Sequence, residues 1–186
     1  MDPLQSDSLL LAPLAPADYP WLCTLYADAE VMRYIGTGVR SHEQSRANLE
    51  GLRAQADRLG FGYWVVRDRA NGERLGGAAL MVRHEGAPVE LGFLFARAAW
   101  GRGIATEAAR LLVAHAFDVL RLPELQAFID VNNAPSGAVL RKAGMRDRGL
   151  ATGPYLTTDR RFSLTREEWL SSSSVVPASR EQAEEP

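Results

Sequence analysis

VELGFLFARAAWGRGIATEA, residues 89–108, passes from a strand pattern to a helix pattern within a few residues. Its first part is an apolar run of strand length. Beyond it, Ile104, Ala108, Leu111, Leu112, His115 and Val119 recur at helical spacing. Between the two stand Gly101 and Gly103, where Ser, Asp or Asn would cap a helix better. A helix N-terminus presents backbone N–H groups without intrahelical partners, together with partial positive charge. Glycines there remove the Cβ atoms that would hold an anion away from those donors. The stretch reads as a strand, a turn suited to a diphosphate with Arg102 as a mobile positive charge, and a helix from Gly101 to Leu120. An ordinary glycine-rich strand-to-helix turn has the same local pattern.

Elsewhere the chain alternates between the same two patterns. SLLLAPL (Ser8–Leu14) reads as a first strand, stopped by prolines, and Asp18 or a neighbour caps a helix carrying Leu22, Leu25 and Tyr26. Ser41 opens a longer helix with Leu49, Leu52, Ala56 and Leu59 inward and Gly60 at its C-cap; Gly51 within it invites a bend or fray. These two helices form a natural flap. GYWVVRD and RLGGAALMV are strands joined through Asn71-Gly72, a hairpin signal, and APVELGFLFA (Ala87–Ala96) is the next strand. After the long helix come a strand, ELQAFIDV (Glu124–Val131), a short helix, APSGAVLRKAG, ended by Gly144, and a last strand, RRFSLT. Thr165 to Glu168 forms a capping box for a final helical turn. One strand–helix–strand crossover in an otherwise antiparallel order gives an α+β, three-layer α/β/α fold. Its sheet is mixed, mostly antiparallel, and has about six or seven strands. Residues 1–170 read as one domain, and from Ser171 to Pro186 the aperiodic SSSSVVPASREQAEEP reads as a disordered tail.

A formal net charge of −2 over 186 residues gives no support to nucleic-acid binding. One cysteine, Cys23, excludes an intramolecular disulfide and speaks against a thiolate metal cluster, and His42 and His84 have no ligand-spaced partners, so no metal is expected. The N-terminus is acidic where a signal peptide is basic, and no apolar run reaches membrane-spanning length. A soluble cytoplasmic protein without membrane contact is the expectation.

Among phosphate-binding turns, the P-loop pattern is absent. A dinucleotide fingerprint would need a small residue at Thr106 and a tight turn directly after the strand, where Arg97 to Trp100 intervene. VELGFLFARAAWGRGIATEA, with NNAPSGAVLRKAGM (Asn132–Met145), instead closely resembles the GNAT superfamily of N-acyltransferases. Within it the match is to the RimJ/RimL-like branch, which acetylates protein or ribosomal-protein N-termini and small amines. The resemblance runs from Leu9 to Trp169 and includes EVMRYIG and LTREEW. The family's Gln/Arg-x-x-Gly-x-Gly/Ala motif maps onto Ala98 to Gly103, with Ala98 at the usual Gln/Arg position and Arg97 beside it. The resemblance implies a GNAT fold whose sheet splays between the Glu90 strand and the Glu124–Val131 strand. It also implies acetyl-CoA as cosubstrate. The diphosphate would lie on the amides of Trp100, Gly101, Arg102, Gly103, Ile104 and Ala105, with Arg97 and Thr106 alongside. The pantetheine arm would run beside Phe93, Leu94 and Phe95 as an added strand. Homodimers are common among similar proteins.

An amine must attack a thioester uncharged, yet an α-amino group has a pKa of about 8 and a lysine about 10.4. A base is therefore needed, together with a donor for the departing thiolate. Glu90 is the candidate base: on a strand it shares a face with Gly92 and Leu94, and Gly92 leaves room beside it. A solvent-facing glutamate, or one paired with an arginine, would look the same. Ser136 is the candidate donor. Many superfamily members have a tyrosine at the position of Leu140; the RimJ/RimL-like branch carries Leu there and Ser at position 136. Asn133 contacts the pantetheine arm or caps the short helix, and capping is equally open to Ser136. His115 reads as a packed histidine, Cys23 as a buried structural thiol, and Tyr155 as a loop residue within reach of the acceptor. Direct attack of an amine (a peptide N-terminus or a small molecule) in a ternary complex follows, without an acyl-enzyme. A non-catalytic acyl-CoA-binding module is the competing reading. Tyr34, Arg40 and Phe61 are the flap residues available to face the acceptor.

Overall fold

Neighbouring residues of a strand point to opposite faces of its sheet, so an apolar run through both faces must be covered twice. In β3 (Tyr63–Asp68), Trp64 and Val66 enter one core while Tyr63 and Val65 enter another. The computed structural model describes residues 1–36 and 38–173 and satisfies this demand with helices on both sides of one sheet. α1 (Tyr19–Ala27) and α2 (His42–Leu59) cover the Tyr63 face with Leu22, Leu25 and Leu49. α3 (Ile104–Ala114) and α4 (Ala134–Lys142) cover the Trp64 face with Ala108, Leu112 and Leu140. α5 (Arg166–Ser173) joins them by stacking Trp169 on Phe117 at 5.9 Å.

Among the described residues the sheet has eight strands, one or two more than expected. β1 (Leu4–Gln5), β2 (Leu9–Pro13), β3, β4 (Arg74–Met81) and β5 (Val89–Phe95) follow in antiparallel order. β6 (Glu124–Asp130) lies parallel to β5, and β8 (Thr158–Thr165) separates it from the edge strand β7 (Arg146–Thr152). The extra strands are β1, only two residues long, and β7, in which exposed and half-buried residues alternate without an apolar face.

Several local readings change. The helix at the glycine turn begins at Ile104 rather than Gly101, with Gly103 as its N-cap, and widens into a π-helical turn over His115–Val119. α2 runs unbroken through Gly51. Asp18 does not cap α1: its buried carboxylate accepts hydrogen bonds from Arg67 and Arg74 at 2.5 and 2.8 Å and, in the turn before the helix, from the Ala15 N–H at 3.3 Å. Ser171–Ser173 belong to α5, and the expected disordered stretch lies, for residues 174–186, outside the described residues.

Candidate functional site

β5 and β6 pair only at Val89–Leu125 and Glu90–Gln126 among the described residues, then diverge. The gap widens into a cleft of about 260 Å³. Leu91–Leu94 line one wall and Ala127–Asp130 the other, with Asn133 and Ser136 at the entrance to α4. Strand register fixes which side chains share its floor: Tyr63 pairs with Ala79, Ala79 with Gly92, and Met81 with Glu90. All five line the cleft on the α1–α2 side, and the segment joining those helices contributes Arg33, Tyr34 and Arg40. Phe61 does not join them; it is buried on the α3 face.

Glu90 is 4% exposed and bound bidentately by Arg83, whose Nε and Nη2 donate to its two oxygens at 2.9 and 2.6 Å. The pair holds the Arg83 guanidinium in its charged form more firmly than usual, chiefly through the bond to Glu90. Each carboxylate oxygen keeps lone-pair capacity for a further donor. Room beside Glu90 is smaller than Gly92 suggested, because the Met81 methyl would lie 2.9 Å from a Cβ there. Arg83 also donates to the Tyr155 hydroxyl at 3.4 Å and lies 5.5 Å from its ring centroid, which brings the β7–β8 loop over the cleft.

At α4 the two capping readings separate. Asn133 Oδ1 accepts the backbone N–H of Ser136 at 3.2 Å, so Asn133 is the cap. The Ser136 hydroxyl lines the cleft and has no protein partner among the described residues. Leu140 is fully buried in the α3-side core.

The glycine turn has the conformation only glycine adopts easily: Gly101 has φ 72° and Gly103 φ 82°. A Cβ built on either would meet nothing within 4 Å, so the space before the α3 amides is open. Gly103, Arg102 and Thr106 border a second hollow along α3 with Arg110 and Lys142, apart from the β5–β6 cleft. The neighbouring side chains are engaged: Trp100 Nε1 donates to the Phe95 carbonyl at 2.8 Å, Arg97 pairs with Glu30 at 2.7 Å, and Arg102 lies 3.9 Å from Asp68. Ile104, Leu94 and Phe95 are buried, which leaves their main chain to a ligand, while the half-buried Phe93 and Ala105 stand closer to solvent. The residues fit a diphosphate on backbone donors and an extended arm on the unpaired edge of β5.

The other candidates keep structural places. Cys23 is buried in the α1–α2 core, where desolvation raises its thiol pKa and so disfavours the nucleophilic thiolate. His115 meets Trp64 edge-on at 5.8 Å, and burial lowers its pKa. No group of three or more His, Cys, Asp or Glu with metal-holding geometry occurs among the described residues. No helix among them is long and apolar enough to cross a membrane.

Comparison with known families agrees with this geometry. The profile of the acetyltransferase (GNAT) domain matches residues 8–146. The chain belongs to the GNAT acetyltransferase family. An FsC-acetyl coenzyme A-N(2)-transacetylase from Aspergillus fumigatus is 30% identical over 190 residues, covering 90% of this chain and 77% of that protein. An acetyltransferase from Agrobacterium tumefaciens str. C58 superposes with a TM-score of 0.77 at 26% identity, over 88% of this chain and 94% of its own. RimL, a ribosomal L7/L12 alpha-N-protein acetyltransferase solved with coenzyme A, superposes at 0.75 over 88% of this chain and 98% of its own. At 16% identity that likeness concerns the fold alone. GNAT membership gives the chain an acyl-CoA-dependent acetyltransferase scaffold. Arg83, Tyr63 and Tyr26 are cleft residues that the sequence did not single out, because only the strand register and the α1–α2 packing bring them to Glu90's face.

Proposed function

We propose that the chain transfers an acetyl group from acetyl-CoA to a primary amine by direct attack in a ternary complex. The observation that carries this reading is the cleft at the β5–β6 divergence, which holds the unpartnered Ser136 hydroxyl and the Glu90 carboxylate between the same walls. When bound, acetyl-CoA supplies an activated thioester. The amides from Gly101 to Ala105, at the positive end of α3, hold the diphosphate. The β5 edge orients the arm, with Phe93 beside it. Ser136 donates a hydrogen bond to the sulfur as negative charge develops there, and Asn133 fixes its position by capping α4. Glu90, held by Arg83, receives the amine's proton directly or through water. Cys23 takes no acyl group, since it lies outside the cleft and burial favours its protonated form. The Ser136–Leu140 pattern supports the RimJ/RimL-like branch, and the reduced cytoplasm suits the single buried thiol.

Release of free CoA thiol from acetyl-CoA, measured against a panel of peptide and small amines, tests the reading. Ser136→Ala should lower kcat by at least about tenfold, the value of a hydrogen bond to a charged group, and leave the KM for acetyl-CoA within about threefold. A wild-type protein that binds CoA but acetylates no amine in the panel would overturn it.

A further inference from the structure

The cleft has an electrically uneven floor. Towards β8 lie the buried acids Asp159 and Glu90, the latter paired with Arg83, and towards β3 lies a corner that acetyl transfer does not use. There the half-buried Arg40 has its guanidinium carbon 5.1 Å from the Tyr26 ring centroid. Arg33 stands at the mouth, and neither arginine has an ion-pair partner among the described residues. Below them the Tyr63 hydroxyl, in a residue 4% exposed, makes no well-formed hydrogen bond and lies beside the Tyr26 hydroxyl. It reaches across to Gly77, where a Cβ would come within 1.8 Å of its oxygen. A buried pair of hydroxyls without a well-formed hydrogen bond is costly and uncommon, so one that lines a cleft calls for an acceptor atom from a ligand.

A guanidinium and a phenolic O–H both donate, and together they match an oxyanion. The roof limits what can carry it: a Cβ on Gly36 would lie 3.0 Å from Tyr155, so the α1–α2 segment and the β7–β8 loop meet above the cleft. The roughly 260 Å³ beneath is shared with the coenzyme's arm, which leaves room for a body of amino-acid size rather than a polypeptide segment. We propose that the Arg40–Tyr63 corner binds the oxyanion of a small acidic amine, a primary amine bearing a carboxylate or phosphate group. Its ammonium end then points toward Glu90 and Asp159. The proposal rests on the acetyl-transfer reading for the word acceptor, but the corner itself is tested by binding alone.

CoA-loaded protein is titrated calorimetrically with β-alanine, 2-aminoethylphosphonate, β-alaninamide and a hexapeptide with a free N-terminus, and kcat/KM is measured for each with acetyl-CoA. At least one acidic amine should bind and react about tenfold or more better than the amide and the peptide, and the two acids identify which oxyanion is preferred. Arg40→Gln and Tyr63→Phe should each shrink the acid-to-amide ratio several-fold, with partial recovery in Arg40→Lys. Equal binding and turnover of acid and amide, a better peptide, or a ratio unmoved in both variants would overturn the oxyanion corner and leave acetyl transfer standing. Acidic amines that bind through Arg40 while no amine is acetylated would uphold the corner and overturn acetyl transfer.

Discussion

Gly101 and Gly103 carry two demands at once. Positive φ makes glycine the low-strain residue, and the open space beyond makes the amides reachable. The two can be separated. In Gly101→Ala the added methyl meets no protein atom, so the free protein loses only the cost of the left-handed conformation, about 1 kcal/mol and a few degrees of Tm. On the proposed placement of the diphosphate, the thermal shift on adding CoA should shrink in addition, because the methyl would stand in its approach. An undiminished CoA shift, measured by calorimetry, would show that the turn does not face the ligand. Single residues whose role follows from periodicity were legible in the sequence: Cys23 and His115 sit in apolar surroundings as their spacing implied. Partnerships were not. Arg83 reaches Glu90 across a hairpin, and Asp18 meets Arg67 and Arg74 about fifty residues away, so no local pattern announces either.

Among the elements, β3 to β6 with α3 were readable because each has an apolar period and a punctuating turn. β7 was not. It is an edge strand with Leu150 65% exposed and a register shift between Asp147 and Leu150, so its residues alternate between solvent and partial cover. The glycines of β4 have a meaning visible only in the paired sheet. Gly77 makes room for the Tyr63 ring, and in Gly77→Ala the new methyl would have to displace an aromatic side chain from the cleft floor. That substitution should cost about 1–3 kcal/mol, more than Gly101→Ala, and should impair acceptor turnover more than CoA binding. Urea denaturation of the two variants side by side checks the order. A Gly77→Ala protein as stable as wild type would mean that Tyr63 is free to leave its place.

For the whole molecule, acid should act at two places in two pH ranges. His115, half-buried against Trp64, has a folded pKa below its ordinary 6.5 because burial opposes its charge. The unfolded chain therefore takes up the proton first, and stability falls as pH drops below about 6.5 towards the folded pKa. Carboxylates at the far edge of the sheet behave differently. Glu168 is held below its ordinary 4.5 by Arg148, then by the Thr165 N–H, with Arg146 adding its charge. Asp147 is raised by desolvation but lowered further by the Gly149 N–H and Arg160, for a net fall below 3.8. Their contribution is complete above the unfolded values and is lost as pH falls through the folded ones. The arginines of these pairs are 36–62% exposed, so salt should weaken the second effect more than the first. Hydrogen exchange should show β7 and α5 opening first below about pH 4.5, while the β3–β5 amides stay protected. Denaturant midpoints should show a shallower decline beginning near pH 6.5 that His115→Phe removes. Uniform loss of protection across the sheet in acid would mean that the β7–α5 edge and the cleft-bearing strands unfold as one unit, and that the β5–β6 cleft has no stability of its own.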